Sequence, residues 1–224
     1  MTQLALEFDH RTALDAEDFL VTPSNSDAVL WLDRWPDWPA PALIIHGPRG
    51  CGKTHLAHVW QARSGARSIS PHAIDEVAPD VVLGVSRYAV IDGGDEVTNE
   101  RSLLHLYNLA GERGGALLLT ASTPPSRWNI ALPDLRSRLV AAPAVAVLPP
   151  DDGLIGAVLV KIFSDRQLRV GDGVVDFLTK RMERSFDAAG RIADALDHAA
   201  LAAGRNITVP LARQVLEQLD SLNN

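Results

Sequence analysis

Apolar residues in the first two thirds of the chain form short runs that alternate with helical patterns. The runs 42–46, 88–91 and 116–120 are apolar over at least four residues, which is typical of buried strands. Apolar residues at helical spacing precede the first run over 28–35 and precede the third over 102–110. Strands that alternate with helices predict an α/β domain with a parallel sheet and helices on both of its faces.

The pattern changes after Pro149-Pro150. Helical patterns then follow one another without a strand, over 151–167, 172–183, 187–203 and 208–221. We therefore expect a small all-helical domain after the α/β domain. The predicted division is an N-terminal segment 1–10, an α/β domain 11–149 and a helical domain 150–224.

The loop after the first predicted strand fits the phosphate-loop pattern G-x-x-x-x-G-K-[ST] without a mismatch. A glycine-rich turn before a helix aims backbone N–H groups and the positive end of the helix dipole at a phosphate. Lys53 is expected to reach the β- and γ-phosphates of a nucleotide, and the Thr54 hydroxyl to ligate Mg²⁺. The predicted ligand is ADP or ATP with Mg²⁺. The predicted binding residues here are Gly47, Pro48, Arg49, Gly50, Cys51, Gly52, Lys53, Thr54 and His55.

A carboxylate directly follows the strand 88–91. Asp92 stands where the carboxylate of a Walker B motif belongs, and it is expected to hold Mg²⁺ together with Thr54. The next residue, Gly93, has no side chain that can act as a base toward the attacking water. Asp95 or Glu96 would need a rearranged backbone to take that role. We therefore expect a site that binds nucleotide well and hydrolyses it poorly.

The first residues of the chain combine one polar and three apolar anchors, Gln3, Leu4, Leu6 and Phe8. The alternation of the three apolar residues fits an edge strand of the domain. The same segment also fits a short linear peptide that docks into the apolar pocket of a partner. The pattern alone leaves both interpretations open.

Composition restricts the classes of partner and of compartment. The chain has 21 Lys and Arg against 28 Asp and Glu, a net charge of −7, so it lacks the basic surplus of nucleic-acid-binding domains. Cys51 is the only cysteine, which excludes an intramolecular disulfide and favours a reducing compartment. At the start of a helix the pKa of a thiol tends to fall, but the favoured interpretation is that Cys51 is simply a small residue of the loop. There is no apolar run of membrane-spanning length and no signal peptide, so a cytoplasmic protein is expected.

The motifs in their order resemble the AAA+ core of the bacterial replication initiator DnaA. The resemblance lies in Gly-Lys-Thr-His-Leu at 52–56, Ile91-Asp92, Leu-Thr-Ala-Ser at 119–122, Leu-Arg-Ser-Arg at 135–138 and the helical tail. It implies an AAA+ phosphate-loop domain followed by a lid domain. It also implies that Ser122 is a sensor of the γ-phosphate. Arg138 would be an arginine finger that faces a neighbouring subunit's nucleotide, with Arg136 as the second arginine of the motif.

The resemblance also implies residues around the base and in the lid. Segment 19–25 is similar to the segment that opens the DnaA core near the adenine pocket, which makes Val21 a predicted nucleotide contact. In this family an arginine of the lid touches the nucleotide, and here Asp187 falls at that place. Arg184 and Arg191 lie one turn to either side, and Arg191 is the predicted contact.

The segment 3–8 is similar to the hexapeptide with which proteins bind the bacterial sliding clamp, the β subunit of the DNA polymerase. A DnaA-like core with such a peptide is the architecture of the Hda family, the regulatory inactivators of DnaA. The implied partners are DnaA and the clamp, and a homo-oligomer stays open. The chain has no room after the lid for the initiator's DNA-binding domain, so sequence-specific DNA binding is not expected.

Three functions are compatible with these features. The leading hypothesis is an adaptor that promotes hydrolysis of DnaA-bound ATP and so limits re-initiation of replication. The first alternative is an active ATPase of the helicase-loader or clamp-loader type, which the glycine after Asp92 disfavours. The second alternative is a nucleotide-gated interaction module, in which Arg138 would be dispensable.

Overall fold

The computed structural model describes residues 20–222, which begin with an α/β domain built on one parallel sheet. Its strands lie side by side in the order β2-β3-β4-β1-β5, and every neighbouring pair is parallel. The strands are β1 (Ala42–His46), β2 (Arg67–Ile69), β3 (Tyr88–Ile91), β4 (Ala116–Ala121) and β5 (Ala144–Ala146).

Helices cover both faces of this sheet because successive side chains of a strand point to opposite faces. In β1, Ala42 and Ile44 are buried in one apolar cluster, whereas Leu43 and Ile45 are buried in a second cluster on the other face. The helices of this domain are α1 (Ser26–Asp33), α2 (Lys53–Ser64), α3 (Pro71–Glu76), α4 (Pro79–Leu83), α5 (Glu100–Glu112) and α6 (Pro133–Ala141).

The register of the strands brings three strand ends together at one edge of the sheet. His46 at the end of β1 pairs with Ala121 at the end of β4, and Ile91 at the end of β3 pairs with Leu119. The strand order reverses at β1, which lies between β4 and β5. In open parallel sheets, ligands bind at the carboxyl ends of the strands where the order reverses.

A helical lid domain follows the sheet domain, as the sequence predicts, and this confirms the predicted fold class. It consists of α7 (Asp152–Asp165), α8 (Val174–Thr179), α9 (Phe186–Ala203) and α10 (Val209–Leu222). The side chains of Asp151 and Ser185 cap α7 and α9 by accepting hydrogen bonds from the N–H groups of Leu154 and Ala188. The lid has its own buried core, which includes Leu159, Leu178 and Leu196. Within residues 20–222, none of the helices is long and apolar enough to cross a membrane.

Three tryptophans before and after β1 pack with one another. The rings of Trp38 and Trp60 stack at 5.3 Å between centroids, and Trp35 meets Trp60 edge-on at 6.0 Å. Trp60 is only 1% exposed. These rings therefore form part of the core of the α/β domain.

The predicted peptide of Gln3, Leu4, Leu6 and Phe8 lies outside the described residues.

Candidate nucleotide site

The phosphate loop connects β1 to α2 at the edge where the strand ends meet. Gly50 and Gly52 have φ angles of 71° and 100°, a left-handed conformation that side-chain-bearing residues rarely adopt. Lys53 turns its ammonium group back over the loop, where its Nζ donates hydrogen bonds to the carbonyl oxygens of Gly47 (2.9 Å) and Pro48 (2.8 Å). The loop therefore holds one cation where a phosphate, a stronger acceptor than a carbonyl, would be bound.

A hydrogen-bond network fixes Asp92 beside the phosphate loop. The Thr54 hydroxyl donates to Oδ2 of Asp92 at 2.9 Å, and the Thr120 hydroxyl donates to Oδ1 of the same carboxylate. Thr120 also accepts a hydrogen bond from the N–H of Gly93 at 3.0 Å. This arrangement follows from the register, because β3 and β4 are neighbours and Ile91 pairs with Leu119, which places the next residues, Asp92 and Thr120, side by side. Thr54 and Asp92, the predicted Mg²⁺ ligands, are thus in direct contact.

We expect substitutions of the two threonines to differ in their effect on stability. The Thr120 side chain is 1% exposed and its hydroxyl makes two hydrogen bonds. Thr120→Val therefore leaves the N–H of Gly93 and Oδ1 of Asp92 without the hydroxyl as a hydrogen-bond partner. We expect this variant to lose about 1–3 kcal/mol of unfolding free energy in urea denaturation. Thr54→Val removes an exposed hydroxyl from the other oxygen of Asp92, and it is expected to change stability by ~0.5 kcal/mol or less. Equal losses in the two variants would contradict this account of the network.

The lid contacts the phosphate loop through the start of α9. The N–H of Phe186 donates to the carbonyl oxygen of Gly50 at 2.8 Å. A Cβ on Gly50 would lie 2.7 Å from the Cβ of Ser185, and one on Gly52 would lie 3.0 Å from the ring of Phe186. Arg49 pairs with Asp187 at 3.6 Å, in an ion pair that is open to solvent. Both glycines are therefore required by close packing as well as by their backbone angles.

A cavity of 1380 Å³ lies between the sheet edge and the lid. The polar residues of its lining include Lys53, Thr54 and Asp92, and the neighbouring carboxylates of Asp95 and Glu96. The apolar residues of its lining include Leu20, Leu154, Ala157, Val158 and Ile162. A cavity that combines a phosphate loop with apolar side chains suits a nucleotide, which has both phosphates and a base.

Most of the predicted nucleotide contacts line this cavity, and four do not. Those in the lining are Arg49, Gly50, Cys51, Gly52, Lys53, Thr54, His55, Asp92 and Ser122. Gly47 and Pro48 lie beside it and supply the carbonyl groups that hold Lys53. Val21 is outside the lining, and Leu20 takes its place. Nucleotide binding by all of these residues stays a prediction.

Arg191, the predicted lid contact, is the fourth residue outside the lining. Its Nη2 lies 3.8 Å from a carboxylate oxygen of Glu183, and Arg184 makes two hydrogen bonds to Asp152. The cationic residue that the lid does contribute to the lining is Lys161 of α7. Sequence reasoning missed Lys161, although its position one turn after Ala157 and Val158 on the apolar face of α7 points toward the same cavity.

Burial and nearby charges shift two pKa values at the phosphate loop. Burial lowers the pKa of His46, and the positive charges of Arg127 and Lys53 lower it further, so this imidazole is neutral near pH 7. Burial raises the pKa of the Cys51 thiol against the opposing influence of Lys53. Burial therefore outweighs the tendency of a helix N-terminus and of a nearby cation to lower this pKa. Cys51 is a small, protonated, buried residue of the loop.

Arg138 lies on α6, outside the lining of the chain's own cavity. Its Nε donates to Oδ1 of Asp134 at 3.1 Å, and its side chain is 41% exposed. The carboxylate of Glu100 accepts hydrogen bonds from the N–H groups of Ala131 (2.8 Å) and Leu132 (2.6 Å), immediately before α6 begins. Glu100 thereby ties the start of α6 to α5, and Arg138 is presented from a fixed helix.

The lid domain matches a known family model. Residues 156–216, which run from α7 into α10, match the model described as the Hda lid domain.

Three solved structures have a fold similar to that of this chain over most of its length. The chain is similar to domain III of the Thermotoga maritima replication initiation protein DnaA, with a TM-score of 0.77, 17% identity, and coverage of 89% of this chain and 94% of that one. It is also similar to AMPPCP-bound DnaA from Aquifex aeolicus, with a TM-score of 0.64, 16% identity, and coverage of 80% and 63%. The Thermotoga maritima RuvB Holliday junction branch migration motor matches with a TM-score of 0.63, 17% identity, and coverage of 80% and 62%. The chain thus spans slightly less than two thirds of the last two proteins. The chain therefore has the fold of DnaA domain III, and its lid domain, over residues 156–216, matches the model of the Hda lid domain.

Proposed function

We propose that this chain is an adaptor that binds the sliding clamp and promotes hydrolysis of the ATP held by DnaA, which limits re-initiation of replication. The observation that carries the proposal is the match of residues 156–216 to the Hda lid domain, on a fold similar to DnaA domain III. AAA+ domains of the same fold pair through the nucleotide of one subunit and an arginine of the next. A DnaA-like adaptor would therefore recognise DnaA as its neighbour.

The chain's own site would hold ADP or ATP between the sheet edge and the lid. Lys53 would neutralise phosphate charge, and Thr54 and Asp92 would hold Mg²⁺, which screens the phosphates when it is bound. Leu154, Val158 and the other apolar residues of the lining would pack against the base. Because α7 and α9 both border the cavity, a bound nucleotide would fix the lid relative to the sheet domain.

Arg138 would act on the nucleotide of DnaA. Three observations support a role in trans: the guanidinium is partly exposed, it does not line its own cavity, and its helix is fixed by Glu100. The ion pair with Asp134 does not prevent this, because exposed pairs contribute only ~0–1 kcal/mol. A positive charge that enters the active site of a neighbour stabilises the charge that develops on the transferred phosphoryl group.

The experiment that tests the proposal measures hydrolysis of ATP prebound to DnaA. DnaA loaded with labelled ATP is incubated with the full chain, with and without clamp loaded on DNA, and the ADP formed on DnaA is quantified. We expect hydrolysis to accelerate only when the chain and the loaded clamp are both present. Rapid turnover of free ATP without DnaA would favour a helicase-loader or clamp-loader ATPase instead. Unchanged hydrolysis on DnaA under all conditions would refute the adaptor role.

Nucleotide binding itself is predicted to depend on Lys53. Lys53→Ala removes the ammonium group that lies over the phosphate loop, and ADP affinity is expected to fall at least about tenfold, or ~1.4 kcal/mol, in a direct titration. Lys180→Ala is the matched control, since Lys180 is an exposed lysine outside the cavity lining. If Lys53→Ala and Lys180→Ala bound ADP equally well, the assignment of the site would be wrong.

A further inference from the structure

The turn after β3 places the carboxylate of Glu96 beside Gly93, the position at which the sequence has no side chain. Gly93 has a φ of 91°, and residues Gly94–Glu96 form a 3-10 turn that folds back over it. A Cβ built on Gly93 would lie 3.1 Å from Cδ of Glu96 and 3.1 Å from its Oε2. The carboxylate of Glu96 thus occupies the space into which a side chain at position 93 would extend.

Three contacts with β4 and the segment after it hold this turn in place. The N–H of Gly93 donates to the Thr120 hydroxyl, and Oδ2 of Asp95 accepts a hydrogen bond from the N–H of Ser122 at 2.8 Å. Gly94 is buried so closely against Leu119 that a Cβ there would lie 2.8 Å from Cδ2 of that leucine. The rearranged backbone that the sequence requires for a substitute base is therefore present and anchored.

The two carboxylates of the turn differ in what they can do. Oδ2 of Asp95 is already occupied by the hydrogen bond that it accepts from the N–H of Ser122. Glu96 is exposed and lines the nucleotide cavity, and its carboxylate makes no hydrogen bond or ion pair with the residues that the structure describes. Of the two, Glu96 has the free oxygen atoms that a proton acceptor needs.

We propose that Glu96, displaced by three residues from the usual position of the base, is the general base for a slow hydrolysis of nucleoside triphosphate in the chain's own site. A water oxygen forms a bond to the γ-phosphorus, and its proton passes to the carboxylate of Glu96. The bond from the γ-phosphorus to the bridging oxygen breaks, and the nucleoside diphosphate leaves with that electron pair. The inference rests on the proposed nucleotide site but not on any action on DnaA.

The test uses the full chain with three substitutions, Glu96→Gln, Asp95→Asn and Lys53→Ala. Single-turnover hydrolysis of ATP is expected to exceed the Lys53→Ala background in the unmodified chain. Glu96→Gln is expected to lower that rate by about 10²–10⁴-fold, the usual contribution of a general base. Asp95→Asn keeps an oxygen for the N–H of Ser122, and it is expected to lower the rate far less than Glu96→Gln does.

A binding measurement separates a loss of chemistry from a loss of the site. Glu96→Gln is expected to keep ADP affinity and thermal stability, and to lose the additional affinity for ADP with aluminium fluoride, which imitates the transferred phosphoryl group. Wild-type turnover in Glu96→Gln with normal ADP binding would overturn the inference, as would loss of turnover in Asp95→Asn alone. An unmodified chain that binds ADP but hydrolyses no ATP above background would overturn it too. If the unmodified chain failed to bind ADP, the assignment of the nucleotide site itself would be refuted.

Discussion

Arg138→Ala is expected to abolish the clamp-dependent stimulation of ATP hydrolysis on DnaA. The substitution removes a partly exposed guanidinium from α6 that lies outside the cavity lining and stands 5.9 Å from the centre of the ring of Tyr107, a core residue. An arginine that enters a neighbour's site is worth ~10³–10⁵ in rate, so its removal should lower the stimulated rate to that of DnaA alone. The measurement is the production of ADP on DnaA in the presence of DNA-loaded clamp.

Two variants of the same helix sharpen this test. Arg136→Ala removes the neighbouring exposed arginine, and it is expected to keep stimulation. Arg138→Lys keeps the charge but loses the planar fork of donors, so it is expected to restore only part of the rate. ADP affinity, clamp binding and melting temperature should be unchanged in all three variants. Normal stimulation by Arg138→Ala together with its loss in Arg136→Ala would transfer the role to Arg136.

The long elements of the sheet domain could be predicted from the sequence because each has a complete apolar face or run. The strands β1, β3 and β4 are almost wholly buried, and their apolar runs have no polar interruption. Short elements gave no such pattern. Val81-Val82-Leu83 has the β-branched composition of a strand, yet it lies in α4, because Pro79 starts a helix and two of the three residues are buried on its inner side. β5 has three residues and is defined by its pairing with β1.

The polar half of the site could be predicted because it lies on one loop and one strand end. Lys53, Thr54 and Asp92 are recognised by the spacing that phosphate chemistry requires. The lid half could not, since it depends on which side of α7 packs over the sheet. Lys161 has no motif around it. Arg184 and Arg191 lie at the right distance in sequence, but they pair with Asp152 and Glu183, and neither lines the cavity.

The gap after Asp92 shows why local chemistry depends on backbone geometry. From the sequence, Gly93 has no side chain that could act as a base, and Glu96 needs a rearranged backbone to take that role. The left-handed angle at Gly93 turns the chain back, and the same missing side chain leaves room for the carboxylate of Glu96. Gly93 therefore removes the side chain that could act as a base and at the same time leaves room for the carboxylate of Glu96. The spacing of residues in the sequence does not show this second effect.

The second large effect is expected from the N-terminal segment, which lies outside the described residues. Gln3, Leu4, Leu6 and Phe8 fit a docking peptide for the clamp or an edge strand of this chain. Burial of each apolar side chain in a pocket contributes roughly 1.5–3 kcal/mol, and ordering a chain terminus opposes it by several kcal/mol. A single peptide should therefore bind modestly, on the order of micromolar, and the several pockets of a ring-shaped clamp would raise the apparent affinity through avidity.

Deletion of residues 1–9 separates the two interpretations. If the segment is a docking peptide, the deletion abolishes clamp binding and clamp-dependent stimulation, and the melting temperature changes by less than about 2 °C, since a shift of that size corresponds to under ~1 kcal/mol in a chain of this length. If it is an edge strand, the melting temperature falls substantially. Full-length Leu6→Ser with Phe8→Ser is the matched variant, and a synthetic peptide of residues 1–10 should compete with the intact chain for the clamp. Retained clamp binding after the deletion, or failure of the peptide to compete, would exclude the docking peptide, because its apolar anchors would then have no part in recognising the clamp.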